Sequence, residues 1–181
     1  AGRLDATSEG LLLLTADGQV NKALTHPPKA NAGKQQGKTY WIQVEGDASD
    51  AQLQQLQTGV PLKDGITLPA EVARLSEAQI AEHIWQAPDK IAKRKVTTWL
   101  AITIFEGKNR QVRRMAAHVG LPCLRLIRMA SSGFSLGNLE VGASTQIPLS
   151  PADLKRLGVQ PLSTATTTPQ SKHPTSRRKQ R

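Results

Sequence analysis

The sequence predicts a mixed α+β domain built around one sheet. Three segments have the signals of strands: an unbroken leucine run at 11–14, an alternating segment at 40–45, and a segment rich in β-branched and aromatic residues at 99–105. Short helices with clear start and stop signals lie between and after them, without regular alternation of strand and helix. The 181 residues give room for one domain with a real core, which we expect to span residues 1–160.

The N-terminal elements are predicted to be a strand and a short helix. The leucine run has no polar interruption, which favours a strand covered on both faces, and Gly10 allows another backbone to approach closely just before it. Asp17 can cap a helix that runs to Leu24, before the pair Pro27-Pro28. Residues 27–37 are polar and are predicted to form a loop.

The middle of the chain carries a strand and a capped helix. Alternation in segment 40–45 places residues 40, 42 and 44 on one face and residues 41, 43 and 45 on the other. Ser49 and Gln52 have the spacing of a capping box, Leu53 and Leu56 supply an inner stripe, and Gly59 ends the helix.

The second half of the chain contains further strand candidates and two helices. Residues 65–74 and 99–105 favour strands, whereas residues 76–85 are ambiguous. Asn109 can cap a helix over residues 110–119, whose apolar face carries residues 112, 115, 116 and 119. Ser150, Pro151 and Asp153 mark the start of a last short helix, which Gly158 ends.

The net charge of +10 is unevenly distributed. Seven of the 24 basic residues and none of the 14 acidic residues lie from Lys155 onward, which leaves about +3 for the rest of the chain. Residues 161–181, rich in Thr, Ser, Pro and basic residues, are predicted to form a disordered basic tail. Two basic clusters remain, one within residues 90–95 and one within residues 108–128, where no acid occurs. The first fits a solvated loop or phosphate contacts equally well, and the second favours phosphate contacts.

Several classes of protein are disfavoured by the composition. A single cysteine, Cys123, excludes a disulfide framework and a Cys-based zinc site, and its apolar neighbours predict a buried structural thiol. The four histidines show no ligand spacing. No apolar run reaches membrane length and no signal peptide is visible, so we expect a cytoplasmic protein without a membrane partner.

Two motifs resemble one known family. Gly2-Arg3-Leu4-Asp5, continued by Ser8-Glu9-Gly10 and the leucine run, resembles the active-site segment of the RsuA/RluE-type pseudouridine synthases of ribosomal RNA. Glu-Gly-Lys-Asn-Arg-Gln-Val-Arg-Arg-Met at 106–115, with Leu-Arg-Leu-Ile-Arg at 124–128, resembles the family's basic helix and following strand. Two long motifs in the right order are more specific than any short pattern. The resemblance covers residues 1–157 and is nearest to the large-subunit, RluE-type branch.

The resemblance implies a fold and an activity. The fold would be a mixed, mostly antiparallel sheet with packed helices and a central RNA-binding cleft. The activity would be isomerisation of a specific uridine, most simply in large-subunit ribosomal RNA, to pseudouridine without a cofactor or metal. The partner would be ribosomal RNA or a pre-ribosomal particle, and we expect a monomer. Family members begin earlier, with a strand carrying a Lys-Pro motif, so we expect the N-terminal part of the domain to be missing from this chain.

Three catalytic residues follow from the same resemblance. Asp5 would be the nucleophile, attacking the ribose C1′ or the base C6. Arg113 would be the cation that pairs with Asp5, because an ionised carboxylate beside RNA phosphates needs a positive charge close by. Tyr40, the only tyrosine of the chain, would stack on the target uracil and take part in removing the C5 proton.

The remaining site residues are predicted to contact RNA. Leu126 would line the apolar wall against the base, and a set of polar and basic residues would hold the RNA: Arg3, Lys108, Asn109, Arg110, Gln111, Arg114, Arg125 and Arg128. An alternative is a non-catalytic RNA-binding or ribosome-binding protein that retains the synthase scaffold. The presence of Asp5, Tyr40 and Arg113 together favours catalysis over that alternative.

Overall fold

A mixed six-stranded sheet organises the protein in the computed structural model, which describes residues 4–25, 37–87, 91 and 96–160. In chain order the elements are β1 (Glu9–Gly10), α1 (Gly18–Thr25), β2 (Lys38–Glu45), α2 (Asp50–Thr58), β3 (Pro61–Leu62), β4 (Gly65–Ile66), β5 (Glu71–Arg74), α3 (Glu77–His83), β6 (Thr97–Ile104), α4 (Gln111–His118), β7 (Cys123–Ser131), β8 (Phe134–Ser135) and α5 (Pro151–Leu157).

The strand order is β1-β7-β2-β6-β5, with β8 also paired to β7, while β3 and β4 form a separate hairpin. β1 runs parallel to β7, and the other pairings within the described sheet are antiparallel. The predicted α+β class with a mixed, mostly antiparallel sheet is therefore confirmed. The predicted tail at 161–181 lies outside the described residues.

The main hydrophobic core lies between one face of the sheet and helices α2 and α4. The alternating positions of β2 and β6 that share this face are fully or almost fully buried, as are the inner residues of both helices: Ile42, Val44, Leu100, Ile102, Ile104, Leu53, Leu56, Val112, Met115 and Ala116. Each such Leu or Ile contributes about 1.5–3 kcal/mol on leaving water. A smaller core joins α1 to α5 through Val20, Ala23, Leu24 and Leu157.

The helix boundaries follow local capping chemistry. Capping boxes begin α2 at Ser49 and α5 at Ser150, and Asp17 Oδ1 accepts from the first backbone N–H groups of α1, all as predicted. A third capping box, with Ser76 as cap, begins α3 and shows that the ambiguous segment is helical. None of the helices in the described ranges is long and apolar enough to span a bilayer.

The prediction of a buried strand at the leucine run is wrong. β1 ends at Gly10, and beyond it Leu12 and Leu14 are 48% and 81% exposed. The cause is competition for one edge of β7. β1 pairs with Ile127 and Arg128 on that edge, and β8 pairs with Ala130 and Ser131 just beyond, so the chain must leave the sheet after Gly10.

Two other boundaries differ from expectation. The strand predicted over 65–74 is divided, with β4 in the hairpin and β5 at the edge of the main sheet. The predicted Asn109 cap is wrong, because Arg110 holds the N-cap position of α4 in a left-handed conformation with φ of 46° and without a side-chain capping bond. Gln111 Oε1 instead accepts from the Lys108 backbone N–H at 3.0 Å.

Gly10→Ala is expected to destabilise the fold strongly. Gly10 has φ of +94°, and a Cβ there would lie 2.5 Å from the carbonyl oxygen of Arg128. Backbone strain and overpacking together predict a loss of about 2–5 kcal/mol in the free energy of unfolding. Urea denaturation measures this loss.

Gly18→Ala is the matched control, because Gly18 is the first residue of α1 and a Cβ there meets nothing within 4 Å. It should be neutral or stabilising by up to about 1 kcal/mol. Equal stability of the two variants would contradict the close approach of β1 to β7.

Candidate active site

A cleft of about 310 Å³ opens beside the main core, on the same face of the sheet. Its floor is formed by Tyr40 of β2 with Leu126 and Arg128 of β7, and its walls include residues 4, 5 and 8 and the loop that leads into α4. Among the described residues, Asp5 is the one acidic side chain in its lining. Five basic side chains share the lining: Lys38, Lys108, Arg110, Arg113 and Arg128. The cleft is therefore electropositive around a single carboxylate.

The segment that carries Asp5 is held by three arginines. A turn with a 2.9 Å bond from Ser8 N to Asp5 O leads into β1. Arg113 Nη2 donates to Thr7 O at 2.7 Å, and Arg128 Nε donates to Leu11 O at 2.8 Å. Between these two bonds, Arg125 forms a bidentate ion pair with Glu9, with 2.7 and 2.9 Å contacts. Residues 7, 9 and 11 are thus each bound by an arginine, and we call this set the arginine clamp.

Asp5 itself pairs with Arg110, whose Nη1 lies 3.0 Å from Asp5 Oδ2. The prediction that Arg113 forms this ion pair is wrong, because both terminal nitrogens of Arg113 donate to backbone carbonyls, those of Cys123 and Thr7. Arg110 reaches Asp5 from its left-handed position at the start of α4. Such a conformation costs a non-glycine residue about 1–3 kcal/mol, and such residues are enriched at functional sites.

Tyr40 stands beside Asp5 in the cleft and opposite Arg128 in the register of β2 and β7. Burial raises the pKa of the Tyr40 hydroxyl, and the charge and hydrogen bond of Arg128 oppose that rise only in part. Tyr40 is therefore a neutral phenol at neutral pH. Its ring packs against the main core, which fixes its orientation toward the cleft.

Lys38 is a cleft residue that the sequence analysis missed. It lies two residues before Tyr40 on β2, so strand alternation places both side chains on the cleft face. Burial, and then the charge of Arg128, lower the pKa of the Lys38 ammonium. Within the described part of the chain it has neither a hydrogen-bond acceptor nor an acidic partner. Its period-two relation to Tyr40 was the signal that could have identified it.

Arg125, which the sequence predicts to contact RNA, lies outside the cleft. Arg125 is three residues from Arg128 on β7, so their side chains lie on opposite faces of the sheet. Arg128 and Leu126 line the cleft, whereas Arg125 is 2% exposed on the back face, with its guanidinium near Trp85 and Trp99. Arg125 therefore stabilises β1, through its ion pair with Glu9, and does not line the cleft.

The other predicted RNA-binding residues divide into two groups. Lys108, Asn109, Arg110 and Gln111 line the cleft, as does Arg128. Gln111 is buried and stabilises the loop that leads into α4, because its Nε2 donates to Glu106 Oε1 at 2.7 Å. Arg114 points away from the cleft and forms a bidentate pair with Asp64 at 2.7 and 3.0 Å, and its hydrogen bonds lower the pKa of Asp64. Arg3 and the cluster at 90–95 fall outside the described residues, apart from residue 91.

Cys123 is a supporting residue, in agreement with its apolar neighbours in the sequence. Burial raises the pKa of its thiol to about 11, so the thiolate needed for nucleophilic chemistry is scarce at neutral pH. The sulfur donates to Arg125 O at 3.3 Å.

Comparison with known proteins identifies the class to which this fold and cleft belong. The sequence profile of the family described as RNA pseudouridylate synthase matches residues 1–118, and the chain is a member of that family. A crystal structure of a pseudouridylate synthase superposes with a TM-score of 0.61 and 24% identity, covering 86% of this chain and 57% of the other. The predicted family and its fold are thus confirmed.

Two relatives are about half identical to this chain. The ribosomal large subunit pseudouridine synthase E of Vibrio vulnificus (strain CMCP6) is 49% identical over 149 residues, which cover 82% of this chain and 61% of that protein. The protein of the same name from Xanthomonas campestris pv. campestris is 51% identical over 144 residues, covering 78% of this chain and 73% of that protein. The chain spans about three-fifths of the length of the Vibrio relatives that it matches.

Lys38→Met is expected to stabilise the folded protein. The lowered pKa means that the folded state disfavours the charged ammonium, whereas Met keeps the apolar stem without the charge. The gain should be full at pH 7. It should shrink as pH rises toward the unfolded value near 10.5, because the folded state then releases its proton first and the penalty disappears. Urea denaturation at pH 7 and pH 10 measures both effects.

Lys22→Met is the control for that experiment, since Lys22 is exposed in the last turn of α1 and should give no gain. A Lys38→Met protein that is no more stable than the parent at pH 7 would contradict the electrostatic description of the cleft.

Proposed function

We propose that this chain is the catalytic part of a pseudouridine synthase that isomerises a uridine in ribosomal RNA of the large subunit, with Asp5 as the nucleophile. The observation that carries the proposal is the position of Asp5, a single carboxylate in an otherwise basic cleft, next to an aromatic ring and an apolar wall. Family membership gives the class of reaction, and the relatives named for the large ribosomal subunit indicate the class of RNA.

RNA would be held by cations that line the cleft. Lys108 Nζ donates to the carbonyls of Gly65 and Ile66, at 3.1 and 2.9 Å, and lies 3.7 Å from Glu106 Oε2. Lys38 has no acidic partner among the described residues. Contacts of such residues with phosphates give affinity without sequence choice. The uridine must leave its helix to reach Asp5, as enzymes that act on a base generally require.

The extruded uracil would lie between Tyr40 and Leu126. Tyr40 supplies a ring for stacking, and Leu126 is 6% exposed at the floor of the cleft. Because its raised pKa keeps the Tyr40 phenol neutral, the hydroxyl can accept the C5 proton only while passing its own proton to a neighbour. We therefore assign Tyr40 mainly to holding and turning the base.

Asp5 would attack as an ionised carboxylate, at the ribose C1′ or at C6 of the base. Attack at C1′ displaces N1 as the ester to Asp5 forms, whereas attack at C6 is followed by breakage of the bond between C1′ and N1. The detached uracil then turns, and C5 bonds to C1′ while the bond to Asp5 breaks and releases the carboxylate. The C5 proton leaves to a base, and N1 takes up a proton. Arg110 stabilises the carboxylate before attack through its 3.0 Å contact. Arg113 acts at a distance, by holding the turn that presents Asp5 through its bond to Thr7 O.

Asp5→Asn is expected to abolish pseudouridine formation, because the amide keeps the shape of the carboxylate but is a very poor nucleophile. The measurement is carbodiimide mapping of ribosomal RNA after incubation with this chain, and with a chain carrying the N-terminal strand expected for the family. Asp47→Asn, at an exposed loop position, is the matched control and should retain the parent activity.

Residual modification by Asp5→Asn at the parent rate would overturn the assignment of the nucleophile. RNA binding without modification by both parent chains would favour a non-catalytic RNA-binding protein on the same scaffold.

A further inference from the structure

The back face of the sheet carries a cluster of charged and aromatic side chains that the proposed chemistry does not use. Glu9 accepts hydrogen bonds from Nε and Nη2 of Arg125, and Trp85 Nε1 donates to Glu9 Oε2 at 2.6 Å. Arg125 Nη1 donates to the carbonyl of Trp85 at 2.9 Å, and the guanidinium lies 5.3 Å from the centre of the Trp85 ring. Trp99 flanks the same guanidinium at 6.0 Å.

Arg125 is fully hydrogen-bonded and buried, whereas the side chain of Glu9 is 28% exposed. All three nitrogens of the Arg125 guanidinium donate to named acceptors, and the side chain is 2% exposed. Burial alone would raise the pKa of Glu9, but the hydrogen bonds and charge of Arg125, with the Trp85 bond, lower it overall. Glu9 is therefore ionised throughout the neutral range.

An ion pair whose arginine is buried adds little net stability compared with apolar residues of the same volume. Its better-attested use is to fix one arrangement among several. β1 needs such a device, because it has only two residues and two register partners, Ile127 and Arg128. A slip of one residue along β7 would move the chain by about 3.3 Å and turn each side chain to the other face.

The turn of residues 5–8, which we call the catalytic turn, leads directly into β1. Asp5 is four residues before Glu9, and the turn closed by Ser8 N and Asp5 O leaves no free length between them. Any slip of β1 is therefore transmitted to the Asp5 carboxylate. Misplacement of a reacting group by about 1 Å can cost a hundredfold in rate.

We propose that Glu9, Arg125 and Trp85 form a positioning cluster that sets the register of β1 and thereby the place of the Asp5 carboxylate in the cleft. The proposal rests on the proposed function of Asp5. Trp85 lies in the segment that follows α3, a helix without buried residues. The hydrogen bond from its indole N–H to Glu9 connects that segment to the strand that follows Asp5. Glu9 and its partners are absent from the lining of the cleft, so the proposal gives them no contact with the target uridine.

Glu9→Gln tests the proposal, because the amide keeps the size of the side chain but loses the bidentate charged pair. The expected result is a decrease of about tenfold or more in the single-turnover rate of pseudouridine formation. The dissociation constant for the RNA should stay within about twofold of the parent value, because the cluster faces away from the cleft. Trp85→Phe keeps a ring near Arg125 but removes the indole N–H, and should reduce the same rate by a smaller factor.

Amide resonances give a second readout that needs no RNA. In ¹H–¹⁵N spectra of Glu9→Gln, the amides of residues 5–8 should shift or broaden while those of α2 stay in place. Asp50→Asn is the matched control, since it removes an exposed arginine pair, 2.6 Å from Arg74, on the far side of the domain. It should change neither the rate nor these resonances.

The outcomes separate this inference from the proposed function. Absence of pseudouridine with the parent chains would overturn the proposed function itself. A parent rate in both Glu9→Gln and Trp85→Phe, from an active parent, would overturn the positioning cluster alone. Equal losses of RNA affinity and rate would also count against it, because they would show a general loss of structure or a direct RNA contact.

Discussion

The arginine clamp on residues 7–11 is the constraint on which the site depends. The segment has almost no strand of its own, since β1 contributes two residues to the sheet, yet it must present Asp5 at a fixed point above β7. Side-chain hydrogen bonds compensate for the few backbone hydrogen bonds of so short a strand: Arg113 binds Thr7, Arg125 binds Glu9, and Arg128 binds Leu11. Because the three arginines come from α4 and from both faces of β7, the segment is fixed from several sides.

Two of these arginines, Arg113 and Arg128, also contribute to the electrostatics of the cleft. Basic residues concentrated around the cleft attract a polyanion, which a protein that acts on RNA requires. The charges are then used differently. Arg113 and Arg128 are bound to backbone carbonyls, Arg110 pairs with Asp5, and Lys38 keeps a partly buried ammonium without an acid among the described residues. The lowered pKa of Lys38 means that its charged form is less favourable in the folded protein than in the unfolded chain.

Features set by local interactions were predictable from the sequence, and those set by distant parts of the chain were not. The capping boxes at Ser49 and Ser150 depend on spacing within a few residues. The α+β class followed from the order of the predicted strands and helices along the chain. β1 ends at Gly10 because β8, more than a hundred residues further along the chain, occupies the same edge of β7. The choice of Arg110 over Arg113 depends on a left-handed residue at the start of α4 that no simple pattern marks. Arg125 is different, because its odd separation from Arg128 on a strand already indicated opposite faces.

The position of the substrate base relative to Asp5 tests the account most directly. A structure of this chain with an RNA stem containing 5-fluorouridine at the modified position would show it. We expect the fluorinated base outside its helix, stacked on Tyr40 and against Leu126, with Asp5 in contact with its ribose C1′ or base C6, and with residues 7–11 unmoved. A base bound elsewhere on the protein, or one still stacked in its helix, would contradict the central claim that this cleft is the active site.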